Sequence, residues 1–411
     1  FAMDNGETIS AQKQDHFQRY LNYAVSIIEK YNGAEPFHLY LKKYFSEHKK
    51  HGSGDRKKIS SLCYEYFRIG KAVSNSFDVK EKILLASFLT GNIPVFLLNE
   101  YHKEWLSWIQ LSLTEKIEKV SLFFSIEKLF PFRKELSKEI DFSKFNRSFL
   151  TQPRLFIRIR PGKAFNVFNN LKSAGILFET INENCLAFNQ NEKITGILKI
   201  DKEAVIQDYN SQRVADFFLP VNSSEKYPLK VWDCCAASGG KSILAFDHLQ
   251  KMVLTVSDKR KGILDNLKLR FSKAGIKNYQ SFVADLSLGK IIEEIKVPQD
   301  FIMADVPCSG SGTWSRTPEQ LLFFSENKIN EYAHLQIKIV TDAVKYLSKR
   351  GYLLYINCSV FKKENEENVN YFQENLNLDL VKSGYLKGYE MKADTLFAAL
   401  FTKKIIHQAV K

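Results

Sequence analysis

Cysteine is scarce in this chain of 411 residues: six in all, Cys63, Cys185, Cys234, Cys235, Cys308 and Cys358. They are too few and too scattered for a disulfide scaffold, so free thiols in a reducing cytoplasm are expected. No apolar run approaches the roughly 18 to 20 residues that cross a bilayer, so no integral membrane protein is expected. The opening Phe1-Ala2-Met3-Asp4 lacks the basic and apolar regions of a signal peptide, and reads as a cloning scar before a start at Met3. Internal repeats and long low-complexity segments are missing too. What is present is globular composition, 45% hydrophobic and 26% charged, at a length that suits two or three domains. Lys and Arg number 59 against 46 Asp and Glu, a net charge of +13. That excess favours a polyanionic partner, nucleic acid or an anionic surface, although Lys-rich coding alone produces basic proteins.

Residues 1–145 read as a helical bundle. Tyr20, Leu21, Ala24, Ile27, Ile28 and Tyr31 recur at helical spacing, as do Ile59, Leu62, Cys63, Tyr66 and Phe67 behind Asp55. Similar periodicity runs through Ile83 to Thr90 and Glu115 to Leu129. Residues 150–205 read as a small α+β unit. Its first strand, Arg154 to Arg160, alternates strictly and puts Leu155, Ile157 and Ile159 on a buried face. Arg154, Phe156, Arg158 and Arg160 fall on the other face, where guanidiniums around a ring suit RNA phosphates and bases; a plain solvated face is the alternative. Over 151–200, seven Lys/Arg stand against three Asp/Glu.

From 206 to 411 apolar runs alternate with helical patterns. Strands are expected at Lys230 to Asp233, Val253 to Ser257, Ser281 to Ala284, Phe301 to Ala304 and Tyr352 to Asn357. Helices are expected at Lys241 to Gln250, Lys261 to Ala274, Asn327 to Leu347 and Glu364 to Gln373. The alternation predicts a Rossmann-like parallel sheet covered on both faces, with ligands at the carboxyl ends of its strands.

The first strand runs into Asp233-Cys234-Cys235-Ala236-Ala237-Ser238-Gly239-Gly240-Lys241, whose small residues let backbone approach a ligand. A phosphate-binding P-loop would require Gly where Cys235 stands, which disfavours a nucleoside triphosphatase. Asp258, 25 residues beyond Asp233, is placed to accept from ribose hydroxyls, and Asp285 to reach a base edge. Each Asp alone suits a helix N-cap. Three at successive strand ends behind a glycine loop favour a nucleoside cofactor. The fourth strand ends at Asp305-Val306-Pro307-Cys308-Ser309, the fifth at Asn357-Cys358-Ser359. A lone cysteine is commonly a small buried hydrophobe; two at neighbouring loop openings beside an Asp suggest chemistry. Zinc would need about four closely spaced ligands, which the sequence does not offer, so no metal is expected.

These motifs resemble the RNA cytosine-5 methyltransferases, the bacterial ribosomal-RNA enzymes of the Sun/Fmu type and their nucleolar relatives. Val205-Ile206-Gln207-Asp208-Tyr209-Asn210-Ser211-Gln212 is similar to that family's segment before the sheet, and Asp394 to Lys403 to its last strand. Asp55-Arg56 leading into Leu62-Cys63-Tyr64 looks like a NusB-type RNA-binding domain. Ser238 departs from the family's usual Pro, Cys234 from an aliphatic and Asn357 from Thr.

The resemblance implies a class I methyltransferase domain at 206–411, a small RRM-like middle domain and an all-α N-terminal domain. It implies S-adenosylmethionine held by Cys235, Ala236, Ala237, Ser238, Gly239, Gly240, Lys241, Asp258, Asp285 and Asp305. Cys358 would be the nucleophile toward cytosine carbon 6 and Cys308 would assist release. Asp305 would bind the base edge, and Lys241 would contact the base or favour the Cys358 thiolate. Arg154, Arg158 and Arg160 would touch RNA, ribosomal by preference, with a monomer sufficing. Transfer RNA, a nonenzymatic ribosome-assembly factor, a small-molecule methyltransferase and a DNA enzyme using Cys308 as nucleophile are the competing readings.

Overall fold

The computed structural model describes residues 11–404, apart from Asn75, Leu219, 222–226 and Gln250. Phe1 to Asp4 and Gln250, on which two of the expectations bear, lie outside the described residues. The chain divides into two compact units: Phe1–Lys134 with Asp141–Gln152 and Trp314–Ser325, and Glu135–Ile140 with Pro153–Thr313 and Glu326–Lys411.

The first unit is helical, with helices at Ala11–Lys30, Phe37–Glu47, Ser53–Arg68 and Val79–Thr90. Their apolar stripes supply one core around Leu21, Ala24, Ile27, Ile59, Cys63 and Phe67. Helix starts follow local chemistry. Asp78 and Glu81 form a reciprocal capping box, and left-handed Gly91 (φ 77°) ends that helix. Asp55 plays a second part, accepting both the Gly52 N–H and the Tyr20 hydroxyl. The periodicity through Leu129 is not one helix. A helix spans Leu113–Lys119 and then breaks, because Phe124 leaves the helical path to bridge Val73 and is buried there. Glu319, far along the chain, accepts the N–H of Phe37 in this same unit. Among the described residues no helix is long and apolar enough to cross a membrane.

The second unit holds two sheets. Strands β1 (Leu155–Ile159), β2 (Glu179–Asn182), β3 (Cys185–Phe188) and β4 (Ala204–Ile206) form an antiparallel sheet in the order β2-β3-β1-β4. The helix Ala164–Ser173 connects β1 to β2. Turns rather than a second helix lie between β3 and β4.

The larger sheet comprises β5 (Leu229–Asp233), β6 (Met252–Asp258), β7 (Tyr279–Val283), β8 (Gln299–Asp305), β9 (Leu347–Asn357), β10 (Leu378–Leu386) and β11 (Leu396–Lys403). Its order is β10-β11-β9-β8-β5-β6-β7. Val231, Met303, Leu354 and Ile356 pack on one face, Trp232, Ile302, Leu353 and Tyr355 on the other, so both faces are dry. The expected strands and crossover helices are present, but the sheet is mixed rather than parallel. β11 runs antiparallel to both β10 and β9, because residues 387–395 join β10 to β11 as a hairpin and reverse the chain.

Candidate active site

Neighbours β5, β8 and β9 are parallel, with Asp233 opposite Met303 and Asp305 opposite Ile356, so their carboxyl ends form one rim. The loop after β5 turns through Ala237 (φ 47°) and Gly239 (φ 81°) into the helix Gly240–His248. A Cβ on Gly239 would sit 2.7 Å from Phe271, so this position requires glycine on both conformational and steric grounds. Below the turn, Asp233 is fully buried and accepts the Ser242 hydroxyl at 2.6 Å. Burial pushes its carboxyl up to about 7, against the Ser242 hydrogen bond and with the charge of Asp305 adding to the rise.

Asp258 braces the same loop. Its Oδ2 accepts the Ala237 N–H at 3.0 Å, and its Oδ1 accepts the backbone and Nε of Arg260 at 2.9 and 3.0 Å. Burial acts to raise this carboxyl, but the Arg260 contacts outweigh it and hold it below the usual range. Asp285 accepts the Ser287 N–H and hydroxyl at the start of a short turn, which likewise lowers its carboxyl. Cys235 is half-buried in the loop and Ala236 is buried.

Lys241 reaches from the helix start to Asp305, with Nζ 2.6 Å from Oδ2. Burial disfavours its charge, yet Asp305 chiefly, and then Cys358 and Asp233, restore and raise its proton affinity. It is therefore a fixed ammonium that feels the Cys358 sulfur. The Cys308 and Cys358 sulfurs lie 3.2 Å apart, both half-buried, and the Cys358 N–H points at the Cys308 sulfur at 3.4 Å. The hydrogen bond to Cys358 and burial, with the charge of Glu364 besides, push the Cys308 thiol well up.

Glu364 escaped the sequence reading, which placed it in an ordinary helix start. It is fully buried and accepts the Ser309 N–H (3.0 Å), Gln336 Nε2 (2.8 Å) and the Ser359 hydroxyl (2.6 Å). Gln336 also donates to the Pro307 carbonyl, and Gly312 N–H to the Cys358 carbonyl. One carboxylate therefore ties the turn carrying Cys308 to the turn carrying Cys358. Its charged run Lys362 to Glu367 offered no apolar signal of burial.

The guanidinium face requires correction. Phe156, Arg158 and Arg160 are 1%, 3% and 8% exposed, not solvated. Arg158 and Arg160 both converge on Asp247, at 2.6 and 2.7 Å, because the helix Gly240–His248 covers that side of β1. They are internal ion-pair partners rather than free RNA contacts. Arg154 is partly exposed and pairs with Glu179 at 2.7 Å.

Comparison with known proteins bears on this geometry. Residues 220–401 match the family described as "16S rRNA methyltransferase RsmB/F". Ribosomal RNA small subunit methyltransferase B of Klebsiella pneumoniae is 29% identical over 171 residues, 41% of this chain and 37% of that protein. The human tRNA (cytosine(72)-C(5))-methyltransferase NSUN6 is 31% identical over 152 residues, 34% of this chain and 32% of that protein. The matched stretch thus spans about a third of the length of these relatives. In fold, the crystal structure of PH0851 superposes with a TM-score of 0.68 at 20% identity, covering 97% of this chain and all of the other. NSun6 from Pyrococcus horikoshii, solved with SFG, gives a TM-score of 0.51 at 14% identity over 61% of this chain and 91% of its own. Over residues 220–401 the chain thus resembles the bacterial ribosomal-RNA methyltransferases to which its glycine loop and two cysteine turns pointed.

Proposed function

We propose that this protein transfers a methyl group from S-adenosylmethionine to carbon 5 of a cytosine in RNA, small-subunit ribosomal RNA in the first instance. The observation that carries the reading is the pair of sulfurs 3.2 Å apart at adjacent strand ends, beside the Lys241–Asp305 pair. The small-residue turn at Ala237 to Gly240 leads into a helix whose first N–H groups have no acceptor within the helix, with Asp258 and Asp285 at the next two strand ends. That donor set fits a nucleoside bearing a charged amino-acid tail. The cofactor's sulfonium, when bound, makes its methyl group electrophilic.

The chain's own groups do the rest. Lys241 contacts the base or steadies the attacking sulfur, and the Cys358 thiolate adds to carbon 6 of the base and turns carbon 5 into a nucleophile. Asp305 accepts from the cytosine amino group and orients the ring. After transfer a base takes the carbon-5 proton, its electron pair restores the 5,6 double bond, the carbon–sulfur bond breaks and that pair returns to Cys358, with Cys308 assisting this release. A base buried in a stack cannot reach such a rim, so the target is a single-stranded or flipped cytosine. The helical first unit serves as a NusB-like RNA-binding domain, and the chain works as a monomer in the cytoplasm without a metal.

Replacing each cysteine tests the assignment. Cys358→Ala should abolish methylation, and Cys308→Ala should let a protein–RNA adduct accumulate on denaturing gels. Adduct from the Cys358 variant alone would reverse the roles. The match to the human tRNA enzyme favours transfer RNA as the second reading; bisulfite sequencing of total RNA from a deletion strain separates the two.

A further inference from the structure

Ser238 sits between the two left-handed positions of the glycine turn, Ala237 and Gly239, and its own φ is not positive. A non-glycine residue held at positive φ is strained, and persists only where its surroundings fix it. Asp258 grips one side of this turn through the Ala237 N–H. The other side is gripped by Arg270, from the helix Lys261–Ala274. Its NH1 donates to both the carbonyl and the hydroxyl of Ser238 at 3.0 Å. Its opposite edge, Nε and NH2, forks onto the carboxylate of Asp201 at 2.8 to 3.2 Å.

Asp201 belongs to the turn before β4 of the small sheet. It is 4% exposed, left-handed at φ 65°, and its carbonyl accepts from Arg160 at 3.1 Å. The planar fork on a buried carboxylate gives Arg270 one orientation, which a lysine could not reproduce. Arg270 thereby carries a fixed point of the small sheet to the backbone of the turn.

We propose that Arg270, oriented by Asp201, is a positioning residue for the cofactor turn, and that the small sheet is a structural support of cofactor binding. The inference rests on the function proposed above. Proline at 238 would restrain the same backbone torsion covalently. Arg270 supplies from outside the turn what a ring would supply from within it.

Two measurements on the full chain test this. Calorimetry with S-adenosylmethionine should show Arg270→Ala and Asp201→Asn binding about tenfold more weakly, the lower end of what losing a partner that orients a metal ligand costs. The double variant Arg270→Ala/Ser238→Pro should recover most of the affinity. Hydrogen exchange on the protein without cofactor should show amides of 234–240 exchanging faster in Arg270→Ala and slower again once Ser238→Pro is added. Unchanged exchange in Arg270→Ala, or no recovery with proline in either measurement, overturns the inference. Failure of the wild-type chain to bind S-adenosylmethionine would instead overturn the proposed function, while the exchange comparison still decides the bracing.

Discussion

Glu364→Ala removes the acceptor of three donors, two of them buried: Gln336 Nε2 and the Ser359 hydroxyl, with the part-buried Ser309 N–H. A buried donor left without a partner costs about 1 to 3 kcal/mol. Burial already opposes this carboxylate and raises its proton affinity, so part of the loss is recovered when it goes. The expected net destabilisation is about 3 kcal/mol, read from urea unfolding as a lower midpoint at constant m. The catalytic effect is larger in kind. Without the carboxylate, the turns bearing Cys308 and Cys358 are free to drift, and a displacement of about 1 Å costs on the order of a hundredfold in rate. Glu364→Gln keeps an oxygen for Ser309 and Gln336 and places an amide against Ser359, whose oxygen also accepts the Phe361 N–H. It should therefore retain most of the rate. The assay is single-turnover methyl transfer at saturating cofactor, at a temperature where circular dichroism shows each variant folded. A folded Glu364→Ala protein transferring methyl within a few-fold of wild type would refute the clamp.

Other outcomes follow from single contacts. Asp233 binds its proton more tightly folded (about 7) than at the ordinary aspartate value of 3.8. Its protonated form thus favours folding below about pH 4, and this contribution is lost as pH rises to about 7. That interval corresponds to about 4 kcal/mol as an upper bound. Asp233→Asn should therefore gain stability relative to wild type between pH 4 and 7 and keep that gain above it; parallel curves would show that the burial is relieved. Asp247→Ala strands two buried guanidiniums and should cost about 3 to 5 kcal/mol in urea unfolding. A loss below about 1 kcal/mol, the scale of exposed pairs, would mean that water reaches them.

Much of the second unit was legible because its signals are local. The strands ending at Asp233, Asp305 and Asn357 are short apolar runs stopped by Gly, Pro or Ser turns, and the helix Lys261–Ala274 is amphipathic and closed by Gly275. β10 was missed, since Leu378 to Leu386 carries Asp, Lys, Ser and Gly and is largely exposed at the sheet edge. The direction of β11 was missed with it. Arg158 and Arg160 misled for a related reason: alternation shows that a strand has two faces, but not what covers the second.

The sequence by itself determined the residue types that chemistry needs and the strand ends that present them, because backbone periodicity and turn residues act over a few positions. Only the tertiary structure decided which distant groups meet. The 3.2 Å between Cys308 and Cys358, the burial of Glu364 between their turns, and the hold of Arg270 on Ser238 all join residues more than 30 positions apart. Such contacts depend on strand order and on which face is excluded from water, and these are settled when the whole core closes.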